Sequence, residues 1–260
     1  MTPKLIARRA WTAMLLAVAF VLAGCVAMSL QDEIDALMKE GQQLYSAKQY
    51  NEAVGKFGQV INKDPKQWLA YLWIARSFIA QGLWGDAIGN AKKAYDLAPQ
   101  GTEVLRVFGE ALFGGGADAL KNGRFADSIR YFVDYLKLEP GNTGAWLSVG
   151  KAYLGQGQYR DALNALIQGL ANGGGAQRQE LIRQLLDGGV QAFSRGNYRD
   201  AIELLKEYVK LDANNVSAWV NLAKSYLGAG DLGNTLDAAR KALQLNPRQE
   251  DALRLLLQGR

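Results

Sequence analysis

Histidine is absent from this 260-residue chain, and cysteine occurs once. No histidine general base, Cys/His zinc site or internal disulfide can be assembled from that inventory. Carboxylates remain, but they are scattered at helix-surface spacing with no paired set, so the chain is not expected to be an enzyme or to hold a metal or cofactor. An excess of one charge is also missing. The formal +5 includes Lys4, Arg8 and Arg9 at the front; without them 27 basic residues face 25 acidic ones. The basic isoelectric point therefore gives no argument for nucleic acid as a partner. Proline occurs only five times, too rarely to break up long helical stretches.

Long apolar runs are absent except at the front. A basic start (Lys4, Arg8, Arg9) leads into an apolar core from Ala10 to Leu22 and then the small residues Ala23 and Gly24. These are the three regions of a secretory signal, and the core is short of the roughly 20 residues of a membrane-spanning helix. The run Leu22-Ala23-Gly24-Cys25 resembles the lipobox of bacterial lipoproteins. That resemblance implies loss of residues 1–24, a diacylglyceryl group on the Cys25 thiol, and residues 25–33 as lipidated N-terminus and short linker. Only a thiolate is nucleophilic enough for such alkylation, and more than one acyl chain is needed for stable anchoring. The alternatives are an ordinary cleaved signal with a chance cysteine, or an uncleaved anchor. Val26 and Ala27 follow, without an aspartate of the inner-membrane retention type, so the expected location is the outer membrane, facing the periplasm.

Behind this leader the sequence repeats with a period of about 34 residues. Gly41, Ala75, Gly116, Gly150, Gly189 and Ala223 align if two short insertions are allowed, and twelve residues beyond each stands Ala53, Ala87, Ser128, Ala162, Ala201 or Thr235. Small residues recur where two helices must touch. Three residues before each of the latter is Tyr50, Trp84, Phe125, Tyr159, Tyr198 or Leu232, and four units end in Pro65, Pro99, Pro140 and Pro247. The steps from Tyr71 to Trp146 and from Trp146 to Trp219 each slightly exceed two periods, as if a doubled repeat had been copied.

This pattern resembles the tetratricopeptide repeat, most plainly in Ala145-Trp146-Leu147-Ser148-Val149-Gly150-Lys151-Ala152-Tyr153 and in 217–226. Ala119, Ala192, Gly174 and Ala213 depart from it. The resemblance implies an all-α fold, a right-handed superhelical solenoid of six helix-turn-helix repeats at 34–67, 68–101, 109–142, 143–176, 182–215 and 216–249. Residues 250–260 are expected to cap it, with Leu253, Leu255, Leu256 and Leu257 covering the last repeat. Ser29 with Asp32 reads as a capping signal for the first helix. The seven residues Thr102 to Phe108 add two turns and nearly preserve the helix face, which predicts a lengthened helix capped by Thr102. Five extra residues near Asn172-Gly173-Gly174-Gly175 would rotate the face by about 140°, so that loop is expected to absorb part of them. Gly114-Gly115-Gly116 reads as close packing, or alternatively as a hinge. Trp68, Trp73 and Trp84 read as core, or alternatively as an interaction patch.

In this family the fifth and ninth positions of each first helix commonly point into a concave groove. The fifth positions here are Met38, Leu72, Phe113, Leu147, Leu186 and Val220; the ninth are Gln42, Arg76, Ala117, Lys151, Val190 and Lys224. The resemblance implies an apolar groove with spaced cations, suited to an extended or helical peptide with apolar anchors and an occasional carboxylate. The alternative assigns the apolar set to intra-repeat core and leaves the cations solvated. The family's carboxylate clamp, a lysine and an asparagine at these two positions, is replaced in the first repeat by Met38 and Gln42. The expected partner is an envelope protein or a peptide segment of one, held by a non-enzymatic scaffold during assembly of an envelope complex. Pilus-secretin assembly is favoured over exopolysaccharide export, peptidoglycan-enzyme or outer-membrane insertion complexes.

Overall fold

The computed structural model describes residues 29–258. The leader, Cys25 and the last two residues of the expected cap lie outside the described residues. Within them are thirteen helices and no strand: α1 Leu30–Ser46, α2 Tyr50–Lys63, α3 Trp68–Gln81, α4 Trp84–Leu97, α5 Thr102–Lys121, α6 Phe125–Leu138, α7 Thr143–Gln156, α8 Tyr159–Asn172, α9 Gly175–Ser194, α10 Tyr198–Leu211, α11 Val216–Gly228, α12 Leu232–Leu245 and α13 Glu250–Gln258. None of these helices is long and apolar enough to cross a membrane.

Six hairpins stack in order. The six large residues that recur before the small position each begin the second helix of a hairpin, and all six second helices have the same length. Each first helix packs on its own second helix and on the next first helix; among the second helices only α8 and α10 touch. The first helices thus form a continuous inner layer, and the second helices, α8 and α10 excepted, stand clear of one another on the outside.

Volume complementarity sets the hairpin spacing. Gly41, Gly116, Gly150 and Gly189 each face the residue sixteen positions on, Phe57, Phe132, Leu166 and Leu205. A methyl group on Gly41 would lie 2.6 Å from Phe57 Cε1, and one on Gly150 2.7 Å from Leu166 Cδ2. Where the first position is alanine, at Ala75 and Ala223, the sixteenth residue is also alanine, Ala91 or Ala239, and all four are fully buried. A glycine opposite a large side chain, or two alanines opposite each other, lets the hairpin close without overlap.

Both long first helices occur where one repeat pair meets the next. α5 begins at Thr102 and α9 at Gly175, each seven residues ahead of the repeat frame expected at 109 and 182. The second junction differs from its expectation. Its loop absorbs nothing: it is reduced to Gly173 and Gly174, two residues shorter than the other inter-repeat loops, and α9 carries the same seven added residues as α5. Seven keeps the buried face aligned, and the short loop hides the equality in the sequence. The loop depends on glycine, because Gly175 has φ of 54° and a methyl group on Gly173 would meet Thr143 Cγ2 at 2.7 Å. At the first junction the cap of α5 is Gly101, with no side-chain bond, rather than Thr102.

The Gly114-Gly115-Gly116 triplet lies within unbroken α5, and each glycine meets a different neighbour. Added methyl groups would approach Trp84, Ile88 and Phe132 at 2.9 Å or less, so all three serve close packing. Trp68 and Trp73 are half-buried against the first two core clusters, with Trp73 stacked on Phe57.

The doubled repeat is visible as a repeated network. Asn142 accepts from the Ala145 amide and donates to Tyr135, while the Trp146 indole donates to the Pro140 carbonyl. One repeat pair later Asn215, Ala218, Tyr208, Trp219 and Ala213 repeat these bonds. α1 begins with the capping box of Ser29 and Asp32. At the other end α13 packs on α11 and α12 through Ala252, Leu255 and Leu256. Leu253 and Leu257, expected to cover the last repeat, are exposed because they lie on the opposite side of this short helix.

Candidate partner-binding surface

The exposed stripe of the first helices is the surface available to a partner, but not all of the expected groove residues reach it. Leu72 is fully buried, and Met38 and Val220 are nearly so. Each belongs to a core cluster, Leu72 with Val104, Val107 and Phe108 of the added turns of α5. These three side chains hold the array together and are unavailable to a ligand. Leu147 and Leu186 are half-buried against the core. Gln42 is half-buried. Only Phe113 and Val190, with 36% and 39% exposure, present large apolar surface.

The three cations at the ninth position form a regular set. Arg76 pairs with Glu103, Lys151 with Glu180 at 2.9 Å, and Lys224 with Asp251 at 2.6 Å. Every acid stands in the first two turns of the helix that follows the pair, Glu103 second in α5, Glu180 sixth in α9 and Asp251 second in α13. The pairs are partly exposed, so each is worth of order 0–1 kcal/mol; what they fix is the join. Arg76 also lies over the Trp73 ring, 4.6 Å from its centre, and burial followed by the nearby Arg106 lowers its pKa. Hydrogen bonds from Arg183 and then Lys151 hold Glu180 at about 2. The Lys224 ammonium lowers Asp251 in the same way. A free ladder of cations is therefore not what the surface offers. The sequence reading missed Glu103, Glu180 and Asp251, although an acid opening the helix after a cation-bearing one was there to be seen.

A cleft of about 710 Å³ opens over the added turns of α5. Arg106, Gly109, Glu110 and Phe113 form its floor, and Tyr135, Leu138 and Glu139 of α6 bound it. Phe113 is held edge-on between Phe132 and Tyr135, with ring centres 5.3 and 5.2 Å away. Arg106 is occupied by Glu103 and Glu110, whereas Glu139 makes no ion pair among the described residues and, after burial, helps to raise the Tyr135 pKa. At the second junction Ile182 and Asp187 stand where α5 has Gly109 and Gly114. A methyl group on Gly109 would make only an ordinary contact, 3.5 Å from Tyr135, so packing does not demand glycine there; its absence of side chain leaves the cleft open. A cleft of this size, with aromatic walls and few polar groups, suits an apolar side chain anchored from a peptide backbone.

Family profiles described as "Tetratricopeptide repeat" match residues 38–102, 119–185 and 186–250, together well over half of the chain. The TPR repeat-containing protein YpiA of Bacillus subtilis is 27% identical over 165 residues, 63% of this chain and 36% of that protein. The DnaJ homolog subfamily C member 3 of Gallus gallus is 25% identical over 224 residues, 82% of this chain and 43% of that protein. The chain thus spans less than half the length of these two relatives. Among solved structures, Naa15/Naa10 bound to HypK-THB superposes with a TM-score of 0.52 at 17% identity, over 87% of this chain and 33% of that one, a likeness of fold alone.

Proposed function

Because the chain belongs to the tetratricopeptide repeat family, we propose that it is a non-enzymatic adaptor, tethered by lipid at Cys25 to the outer membrane of a bacterium. From there it holds a segment of an envelope partner along its first-helix surface while a larger complex assembles. The scaffold role follows from a fold whose first helices form one continuous surface. The observation that supports a peptide ligand best is the α5 cleft, where an exposed aromatic residue sits beside Gly109, a position held by Ile182 at the second junction. The tether is supported by the basic start, short apolar core and Leu-Ala-Gly-Cys run of the sequence, and the α1 capping box at Ser29 leaves only a few residues between thiol and first repeat.

Two measurements test this reading. Cells expressing the full chain, grown with radiolabelled palmitate, are expected to label the wild type and not Cys25→Ala, with the label in the outer-membrane fraction of a sucrose gradient. A photo-crosslinking amino acid at position 113 is expected to capture a discrete envelope protein, and adding Gly109→Ile is expected to abolish capture. Label persisting without Cys25 would remove the tether. Undiminished capture with the cleft filled would remove the groove.

A further inference from the structure

The outer face carries a second opening, independent of the first-helix surface. Because α10 and α12 do not touch, part of α11 is left uncovered between them, and a cleft of about 400 Å³ forms there. Its floor is apolar: Val209 and Leu222, both buried, with the half-buried rings of Trp219 and Tyr226. Trp219 is fixed by its indole bond to the Ala213 carbonyl at 2.9 Å. Three exposed lysines, Lys206, Lys210 and Lys241, stand on the rim. Lys210 bonds to Glu207, and the one rim acid, Asp237, is taken up by Arg240. Lys206 and Lys241 have no acid within ion-pair distance among the described residues.

The preceding repeat pair supplies an internal comparison. There the floor recurs as Leu136, Trp146, Val149 and Tyr153, again between second helices that do not touch. Its rim differs. Val133, Lys137 and Gln168 stand where Lys206, Lys210 and Lys241 stand later. The fold therefore makes the apolar floor in both places, and the last pair carries two cations that the preceding one lacks.

We propose that the lysine-rimmed cleft between α10 and α12 is a second docking site, which takes an acidic partner segment carrying one large apolar side chain. Such a side chain would cover the Trp219 and Tyr226 faces while flanking carboxylates meet Lys206 and Lys241, a charge-assisted arrangement that fixes the direction of the segment. The volume is near the lower end of the ~300–1,000 Å³ range of ligand pockets, so it holds an anchor rather than a whole peptide. Facing away from the first-helix surface, it can be occupied at the same time as that surface.

The test pans a random 12-residue peptide library against the full-length protein in detergent. A synthetic peptide of the selected consensus then serves as a fluorescent probe. Expected is enrichment of aspartate and glutamate beside an aromatic or branched residue, with binding weakened at least tenfold in K206E/K241E and unchanged in K39E/K66E, which alters net charge equally at exposed sites elsewhere. All four lysines are exposed, and unchanged thermal midpoints establish that the variants fold. V133K/Q168K, which copies the rim onto the preceding pair, is expected to raise the stoichiometry from one peptide to two. Failure to enrich acidic sequences, equal loss in both charge-reversal variants, or binding of phosphatidylglycerol vesicles in place of peptides would overturn the proposal. Gly109→Ile, which closes the α5 cleft, is expected to leave this binding intact, so failure of one site is separable from failure of the other.

Discussion

Gly150→Ala is expected to destabilise the protein when Leu166 is present and to stabilise it when residue 166 is alanine. The added Cβ would lie 2.7 Å from Leu166 Cδ2 and 2.9 Å from Cγ, closer than van der Waals contact, and Leu166 is fully buried. Overpacking of this kind costs about 1–3 kcal/mol, offset by about 1 kcal/mol from replacing glycine inside a helix. The single variant should thus lose up to about 2 kcal/mol on these figures. Leu166→Ala alone should lose about 2–5 kcal/mol through the cavity it leaves. With both changes the pair becomes two alanines, as at 75/91 and 223/239. The clash is gone, the helix gain remains and the new methyl fills part of the cavity. The double variant should therefore be more stable than Leu166→Ala by about 1 kcal/mol or more, a coupling within the range seen for touching residues. Urea unfolding of the four proteins, followed by far-ultraviolet circular dichroism, measures the cycle. Equal destabilisation by Gly150→Ala in both backgrounds would refute complementarity as the rule that spaces the hairpins.

Other substitutions probe polar groups. The buried hydroxyls of Ser128 and Tyr159 have no hydrogen-bond partner among the described residues, and Ser128 stands where four other repeats have alanine. Ser128→Ala and Tyr159→Phe should each gain about 1 kcal/mol, seen calorimetrically as a rise of about 2–4 °C. Asn215→Ala removes the cap on the Ala218 amide and the bond to Tyr208, and should cost about 1–2 kcal/mol; in native-state hydrogen exchange the loss of protection should centre on the start of α11. Glu180, lowered from 4.5 to about 2 by Arg183 and then Lys151, contributes stability that is complete above pH 4.5 and is lost as pH falls toward 2. The difference in thermal midpoint between wild type and Glu180→Gln should therefore shrink across that window, and a difference independent of pH would contradict the assignment.

Period carried most of the fold into the sequence. The recurring aromatic or large residue marked the first residue of each second helix; at Trp84, Phe125 and Tyr198 that position seats a ring against a glycine of the next hairpin. What stayed hidden lay outside the repeat frame. At the second junction a loop shortened by two masked seven added residues as five. Glu103 and Glu180 fall in those added turns, where the repeat pattern assigns no role, so the cations facing them looked free. Leu72 read as groove because its family position commonly points inward; the same extra turns of α5 cover it. Phe113 escapes because Gly109, one turn earlier, leaves the space beside it open.

The three ion pairs that close the repeat pairs, two onto the next pair and one onto α13, share one polarity, cation on the preceding unit and acid on the helix that follows. Gln42, Ala117 and Val190 occupy the cation position in the alternate repeats, so the joints come in two kinds that strictly alternate. Insertion or loss of a whole pair preserves every match, whereas insertion or loss of a single repeat sets an uncharged residue against an acid. The chain behaves as a modular ruler graduated in twos. Its reach along a partner can change in evolution or by design one pair at a time, without any joint being redesigned.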